Sequence, residues 1–258
     1  MVINLLFNRA RKWGYIKNNP TEDIDRPKYE KSEINIMEPW EIKRFLEQAE
    51  KDVDHYRVAF CCAVETGLRA GELWGLQWGD IDWLEGKLHV RRSLWRGNFQ
   101  TPKTKNSIRR VDISATLLTE LKKWKLACPI NKDDLIFPSP TGSRTNHENA
   151  TNRYFRPILR RAGLEQVSFH SLRHTNASLR IMAGQHLKYM SKQLGHSSIK
   201  ITLDRYGHLF KDSEFNKQQV GLLDQTLASV RNPLESVQEI GFDQVQEIPK
   251  QLNLHVLA

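Results

Sequence analysis

Six side chains of the kinds that transfer phosphoryl groups are scattered along this 258-residue chain. Arg69 lies in Thr66-Gly67-Leu68-Arg69-Ala70-Gly71-Glu72-Leu73, with a carboxylate three residues on. A lysine, Lys103 or Lys105, stands in Thr101-Pro102-Lys103-Thr104-Lys105-Asn106-Ser107. His170 and Arg173 share Phe169-His170-Ser171-Leu172-Arg173-His174, His196 follows Gly195, and Tyr206 comes ten residues later. Together they suit metal-free phosphoryl transfer to a protein hydroxyl. Arginines match the charge on nonbridging phosphate oxygens through paired hydrogen bonds. A lysine can protonate the departing oxygen, a histidine can take the tyrosine proton, and the tyrosine is the nucleophile.

Singly, each segment has a plainer explanation. Arg69 and Glu72 could be a structural ion pair, the lysines an exposed hairpin tip, and Tyr206 a core or rim aromatic. His170 and Arg173, at i and i+3, face the same side of a helix and could meet one phosphate. His170 and His174 also have metal-ligand spacing, but no second cluster of cysteine, histidine or acidic residues completes a zinc site, so no metal is expected.

These residues need elements to hold them. Asn4–Asn19 reads as an amphipathic helix ending at Pro20, followed by a polar linker, Thr21–Asn35. A helix is expected from Glu38, with Ile42, Phe45, Leu46 and Ala49 on one face. Another runs over about Asp54–Thr66 and stops at Gly67. A third begins near Ala70 and carries Leu73, Leu76 and Trp78, so Arg69 falls in the turn between the last two. The period then becomes twofold: Leu88, Val90 and Leu94, then Arg109, Val111 and Ile113, predict a small antiparallel sheet with a basic loop at its tip. Helical patterns return at Ser114–Leu126, Asn146–Ala162 (kinked or interrupted at Pro157), His170–Met182 and His186–Leu194. Val220, Leu223, Leu227 and Val230 form a helical stripe in the tail, which either covers a neighbouring subunit, the favoured reading, or packs on its own domain.

Charge narrows the partner. The net charge is +9, but from Gly207 onward four basic and seven acidic side chains give −3, so residues 1–206 carry +12. Lys87–Val111 holds eight basic residues and no acidic one, which favours a polyanion, because each neutralised phosphate releases counterions. With 39% hydrophobic residues a folded core is expected. No apolar run reaches the roughly 18–20 residues that span a bilayer, and the apolar stretch within Met1–Ala10 is too short for a signal peptide. A soluble, cytoplasmic, nucleoid-associated protein of bacterial or phage origin is expected. Cys61, Cys62 and Cys128 read as reduced and structural.

In order, Thr66–Leu73, Pro102–Lys105, His170-Ser171-Leu172-Arg173-His174, Leu194-Gly195-His196-Ser197-Ser198 and Tyr206 resemble the tyrosine recombinase, or phage integrase, family. The resemblance implies a mainly α, α+β fold: a helical catalytic domain with a small antiparallel sheet, of the DNA breaking-rejoining type. It implies a site-specific recombinase of a mobile element, cleaving double-stranded DNA through a 3′-phosphotyrosine and rejoining it without cofactor, metal or ATP. Arg69 and Arg173 would clamp the scissile phosphate. His170 would act as base or acid, His196 would hydrogen-bond a phosphate oxygen, and Glu72 would support the site. Lys103 is the better match for the general acid, with Lys105 the alternative. Arg91, Arg92, Lys105, Arg109, Arg153 and Arg156 are candidates for DNA contact.

Residues 1–35 resemble only the last helix, plus linker, of a core-binding domain. Residues 36–210 would form the catalytic domain and 211–258 the tail. A catalytic fragment or shortened gene product, forming a homotetramer on DNA and a monomer away from it, is the resulting expectation. A topoisomerase IB-like nicking-closing enzyme and a decayed DNA-binding module are the competing ones.

Overall fold

The computed structural model describes residues 2–24, 35–51, 54–101 and 108–207 and, in the tail, 217, 220–225 and 227–228. Two compact units emerge, residues 1–34 and 35–258. In the first, helix α1 (Val2–Lys12) is shorter than its apolar pattern suggests, because Gly14 turns the chain at φ +79°. Asn19 then caps the arrangement, donating to Asn8 Oδ1 (2.9 Å) and Asn4 Oδ1 (3.1 Å). The linker lies mostly outside the described residues.

In the second unit α2 (Pro39–Ala49) begins with proline in its first turn, while Glu41 reaches back to the Glu38 amide at 2.8 Å. Helix α3 (Asp54–Thr66) ends at Gly67, whose φ of +64° suits glycine and turns the chain toward Arg69. Helix α4 (Ala70–Trp74) is a single turn, shorter than expected, so Leu76 and Trp78 lie beyond it. Gly75 stops it where backbone crowds in: a Cβ there would sit 3.0 Å from Gly71 O and 3.1 Å from Leu94 N.

The twofold alternation yields two sheets rather than one. Strands β1 (Ile81–Asp82), β2 (Lys87–Val90) and β5 (Arg109–Asp112) form an antiparallel sheet in the order β1-β2-β5, with Leu88 opposite Val111 and Val90 opposite Arg109. Strands β3 (Ser93–Trp95) and β4 (Asn98–Gln100) pair separately. Arg96 (φ 47°) and Gly97 (φ 77°) close that hairpin with two left-handed residues, and so turn the chain back before it can rejoin β2. The expected basic loop at residues 102–107 lies outside the described residues.

Ser114 caps α5 (Ala115–Ala127), accepting from Leu117 N at 3.0 Å. The 147–162 segment is one run: α6 (His147–Ala150), a π-helical turn (Thr151–Phe155) and α7 (Arg156–Ala162). Pro157 has no N–H to give the preceding turn, which accounts for the widened helix before it. Ser168 caps α8 (Phe169–Met182), and α9 (Leu187–Leu194) ends at Gly195. An element absent from the sequence reading follows, α10 (Ile199–Tyr206).

Phe45, Phe60, Phe155, Phe169 and Trp74 fuse α2, α3, α4, the π-helical turn and α8 around one aromatic core, with ring centroids 5.2–6.2 Å apart. A second, smaller cluster joins Ala177 and Ile181 of α8, Met190 and Leu194 of α9, and Tyr206 of α10. Among the described residues no helix is long and apolar enough to cross a membrane.

Candidate active site

Arg69, His170, Arg173, Gly195, His196, Ser197, Ile201 and Arg205 line a cavity of about 350 Å³. The structure thus brings together Arg69, His170, Arg173 and His196 from the turn between α3 and α4, from α8 and from the turn after α9. Lys103 and Lys105 lie outside the described residues.

Arg173 is buried, and its guanidinium bridges two helix ends, donating to Gly67 O and Leu194 O at 2.7 Å each. These are carbonyls that α3 and α9 leave without helical partners. Gly67 is required here twice over: a Cβ would lie 2.7 Å from both Asn176 Oδ1 and Leu194 Cδ2, at a φ only glycine adopts freely. Burial, then repulsion from Arg69, pushes the Arg173 pKa down. An arginine stays protonated under such pressure, so the cage holds uncompensated positive charge that an anion would relieve.

Glu72 organises the other side. It is buried, accepts both Arg109 Nη atoms at 3.0 Å, and binds Arg69 through its backbone N–H and Nη1, both at 2.9 Å. Burial alone would raise its pKa, but Arg109, by hydrogen bonding and charge, and then Arg69 hold it at about 2. Arg69 stays half-exposed toward the cavity and also reaches Gly195 O at 3.4 Å.

Arg109 corrects the sequence reading. Grouped there with the DNA contacts, it is only 3% exposed in its side chain, forked onto Glu72 and bonded through Nε to Gln193 O at 2.7 Å. Gly195 (φ +68°) lets it pass, since a Cβ would stand 2.9 Å from Arg109 Nη1. Arg92 is only partly exposed: its guanidinium grips buried Asp80, with Nη2–Oδ1 at 3.2 Å, and adds Gly75 O at 3.4 Å. Arg91 is exposed, resting near His89 Nδ1 at 3.0 Å. Arg153 and Arg156 are exposed on the 147–162 run, and Arg156 borders the larger clefts beside the site.

All three histidines here are held neutral at ordinary pH. Partial desolvation, then Arg173, Arg205 and Arg69, lowers His170 to about 4. Desolvation, then Arg173 and Arg69, lowers His196 to about 3, and its Nδ1 lies 2.8 Å from Thr202 Oγ1. His174, buried one turn after His170, is also lowered to about 4.

Tyr206 ends α10 and is 1% exposed, its ring in the small core and its hydroxyl 2.7 Å from His174 Nδ1. Burial raises its pKa, which Arg173 and then Arg205 partly oppose. Two residues placed at or next to the site are absent from the sequence candidates. His174 enters the sequence analysis only as a possible metal ligand, and nothing in the spacing singles out Arg205, next to Tyr206. Among the described residues no group of histidine, cysteine and acidic residues could hold a metal ion.

The phage integrase family model matches residues 35–213. Over 239 residues the chain is 32% identical to the ICEBs1 integrase of Bacillus subtilis, covering 87% of this chain and 64% of that one. It is 33% identical to a XerC-like tyrosine recombinase of Caldanaerobacter subterraneus over 245 residues, covering 83% and 62%. It therefore spans less than two thirds of these relatives. The fold is similar to the Tn1549 transposon integrase in complex with circular intermediate DNA (TM-score 0.70, 20% identity, 86% of this chain and 78% of that one). It is also similar to a lambda integrase dimer bound to a core site (TM-score 0.59, 21% identity, 77% and 70%).

Proposed function

This chain belongs to the phage integrase family, and on that footing we propose that it is a site-specific recombinase of a mobile element that cuts and rejoins double-stranded DNA. The observation that carries the reading is the cationic cavity, where Arg69, Arg173 and Arg205 meet neutral His170 and His196; Tyr206 follows Arg205 in the chain, its buried hydroxyl hydrogen-bonded to His174.

In this reading Arg69 and Arg173 bind the nonbridging oxygens of the scissile phosphate, with Glu72 and Arg109 holding Arg69 in place. His196 donates from Nε2, the nitrogen left available by its Nδ1 contact with Thr202. His170 serves as acid or base at the same phosphate, and Lys103 or Lys105 protonates the leaving 5′ oxygen. Tyr206 attacks phosphorus, giving a 3′-phosphotyrosine that conserves the bond energy for rejoining. Arg91, Arg153 and Arg156, all exposed, contact the DNA backbone.

The active assembly would be a homotetramer on DNA. Helical, exposed Val220, Leu223 and Leu227 in the tail support docking on a second copy; Val230 lies outside the described residues.

A suicide substrate, nicked so that the released fragment diffuses away, tests the chemistry. A covalent protein–DNA adduct should accumulate and vanish in Tyr206→Phe. DNA binding with no adduct would leave a binding module instead.

A further inference from the structure

The reaction as described gives His174 nothing to do, yet it makes the closest polar contact to the nucleophile, Nδ1 to Tyr206 Oη at 2.7 Å. It lies one helical turn beyond His170, the two rings perpendicular with centroids 4.7 Å apart. His170 borders the cavity, His174 stands behind it, and Tyr206 packs behind His174, its ring fixed by Ala177, Ile181, Met190 and Leu194.

We infer that His174 is the base that receives the Tyr206 proton during DNA cleavage, an assignment that rests on the recombinase reading above. As Tyr206 Oη bonds to phosphorus, its proton passes to His174 Nδ1. The bond from phosphorus to the 5′ oxygen breaks, the electron pair leaves with that oxygen, and the proposed lysine acid protonates it. Rejoining runs in reverse, with the imidazolium returning its proton to the tyrosine.

Geometry selects His174 over its neighbour. A base must stand within roughly 2.6–3.2 Å of the atom that it deprotonates, and His174 does so. Chemistry requires such a base, because burial makes the Tyr206 hydroxyl harder to ionise. The charged and titratable groups acting on His174 are His170 and Arg173 of its own helix and Arg205 of α10, with Tyr206 itself in contact. Those groups, after burial, keep it neutral and so able to accept. A bound phosphate offsets Arg173 and Arg205, raising the basicity of His174 when substrate is in place.

His174→Asn is the decisive variant, because its amide oxygen can occupy the Nδ1 position and accept the hydrogen bond but cannot take up the proton. Single-turnover cleavage of the suicide substrate at saturating DNA should slow by about 10²–10³-fold, with DNA affinity unchanged. His174→Ala should regain cleavage with added imidazole, and the rescued rate should follow the basicity of substituted imidazoles, a dependence that packing alone does not produce. If His174→Asn cleaves within about threefold of the parent, far short of what general bases contribute, the hydrogen bond merely positions the ring and the inference falls. Should His174→Ala fail to fold, the asparagine variant decides by itself. An adduct that survives Tyr206→Phe would instead remove the nucleophile assignment beneath it.

Discussion

Around the cavity, Arg109 and Arg173 are buried, with guanidinium donors directed at oxygens of the protein itself; on the 147–162 run, Arg153, Arg156 and Arg160 stand in solvent. The same side chain does opposite work in the two places. A buried fork with fixed acceptors sets geometry, and changing it disturbs every element that it ties together. An exposed cation adds to a field that is screened by salt and tolerant of small displacements. The cage should therefore answer to substitution by losing rate and stability, and the exposed row by losing salt-sensitive affinity alone.

The sharpest test of the cage is Arg173→Lys, which keeps the charge and removes the fork. An ammonium cannot bridge Gly67 O and Leu194 O and still meet a phosphate oxygen with planar, paired donors. Single-turnover cleavage should fall on the order of 10²–10³-fold, the loss typical of one preorganised transition-state donor. A drop below about tenfold would mean that charge suffices, and the contrast between the two regions would collapse.

Glu72→Gln comes next, read as stability. It leaves Arg109 buried beside a neutral amide, and losing one member of a buried pair costs about 3–5 kcal/mol, measurable by urea unfolding. The parent has a matching pH signature. The Glu72 pKa is depressed from the ordinary 4.5 to about 2, so its stabilisation is complete above 4.5 and declines as pH falls toward 2. The acid limb of the stability profile should flatten across that window in Glu72→Gln. Gly195→Ala should cost less, about 1–2 kcal/mol for the left-handed backbone, plus whatever shift of Arg109 the new methyl demands.

The difference between the regions also marks what the sequence reveals. Helices with a clear apolar stripe and a cap, such as α2 and α5, are legible because local signals and burial agree. Helix α10 defeats such reading. Ile199, Ile201 and Leu203 alternate as in a strand and are partly exposed, while the buried positions are Thr202 and Tyr206, at i and i+4. What selects the helix is tertiary: Thr202 meets His196 and Tyr206 meets His174. Arg109 hides for a related reason. Its strand position resembles that of any basic residue in Lys87–Val111 until the chain brings Glu72 beneath it. The residue types at the site can be read from sequence because the chemistry permits few substitutes. The division of arginines into cage and surface cannot, since it depends on which carboxylates and helix ends arrive from elsewhere.

The smallest effect belongs to the exposed row, and it sharpens the comparison most cleanly. Arg156 borders the clefts beside the site but does not line the cavity, so Arg156→Ala should leave cleavage at saturating DNA unchanged. Affinity should weaken, and the slope of log affinity against log salt should become shallower by about 0.9 if one phosphate contact is lost. Arg153→Ala should behave in the same way, and the double variant should shift the slope by about twice as much, because separate counterion releases add. A fall in the saturated cleavage rate would place these arginines in the cage's work. An unchanged salt slope would remove them from the DNA path altogether.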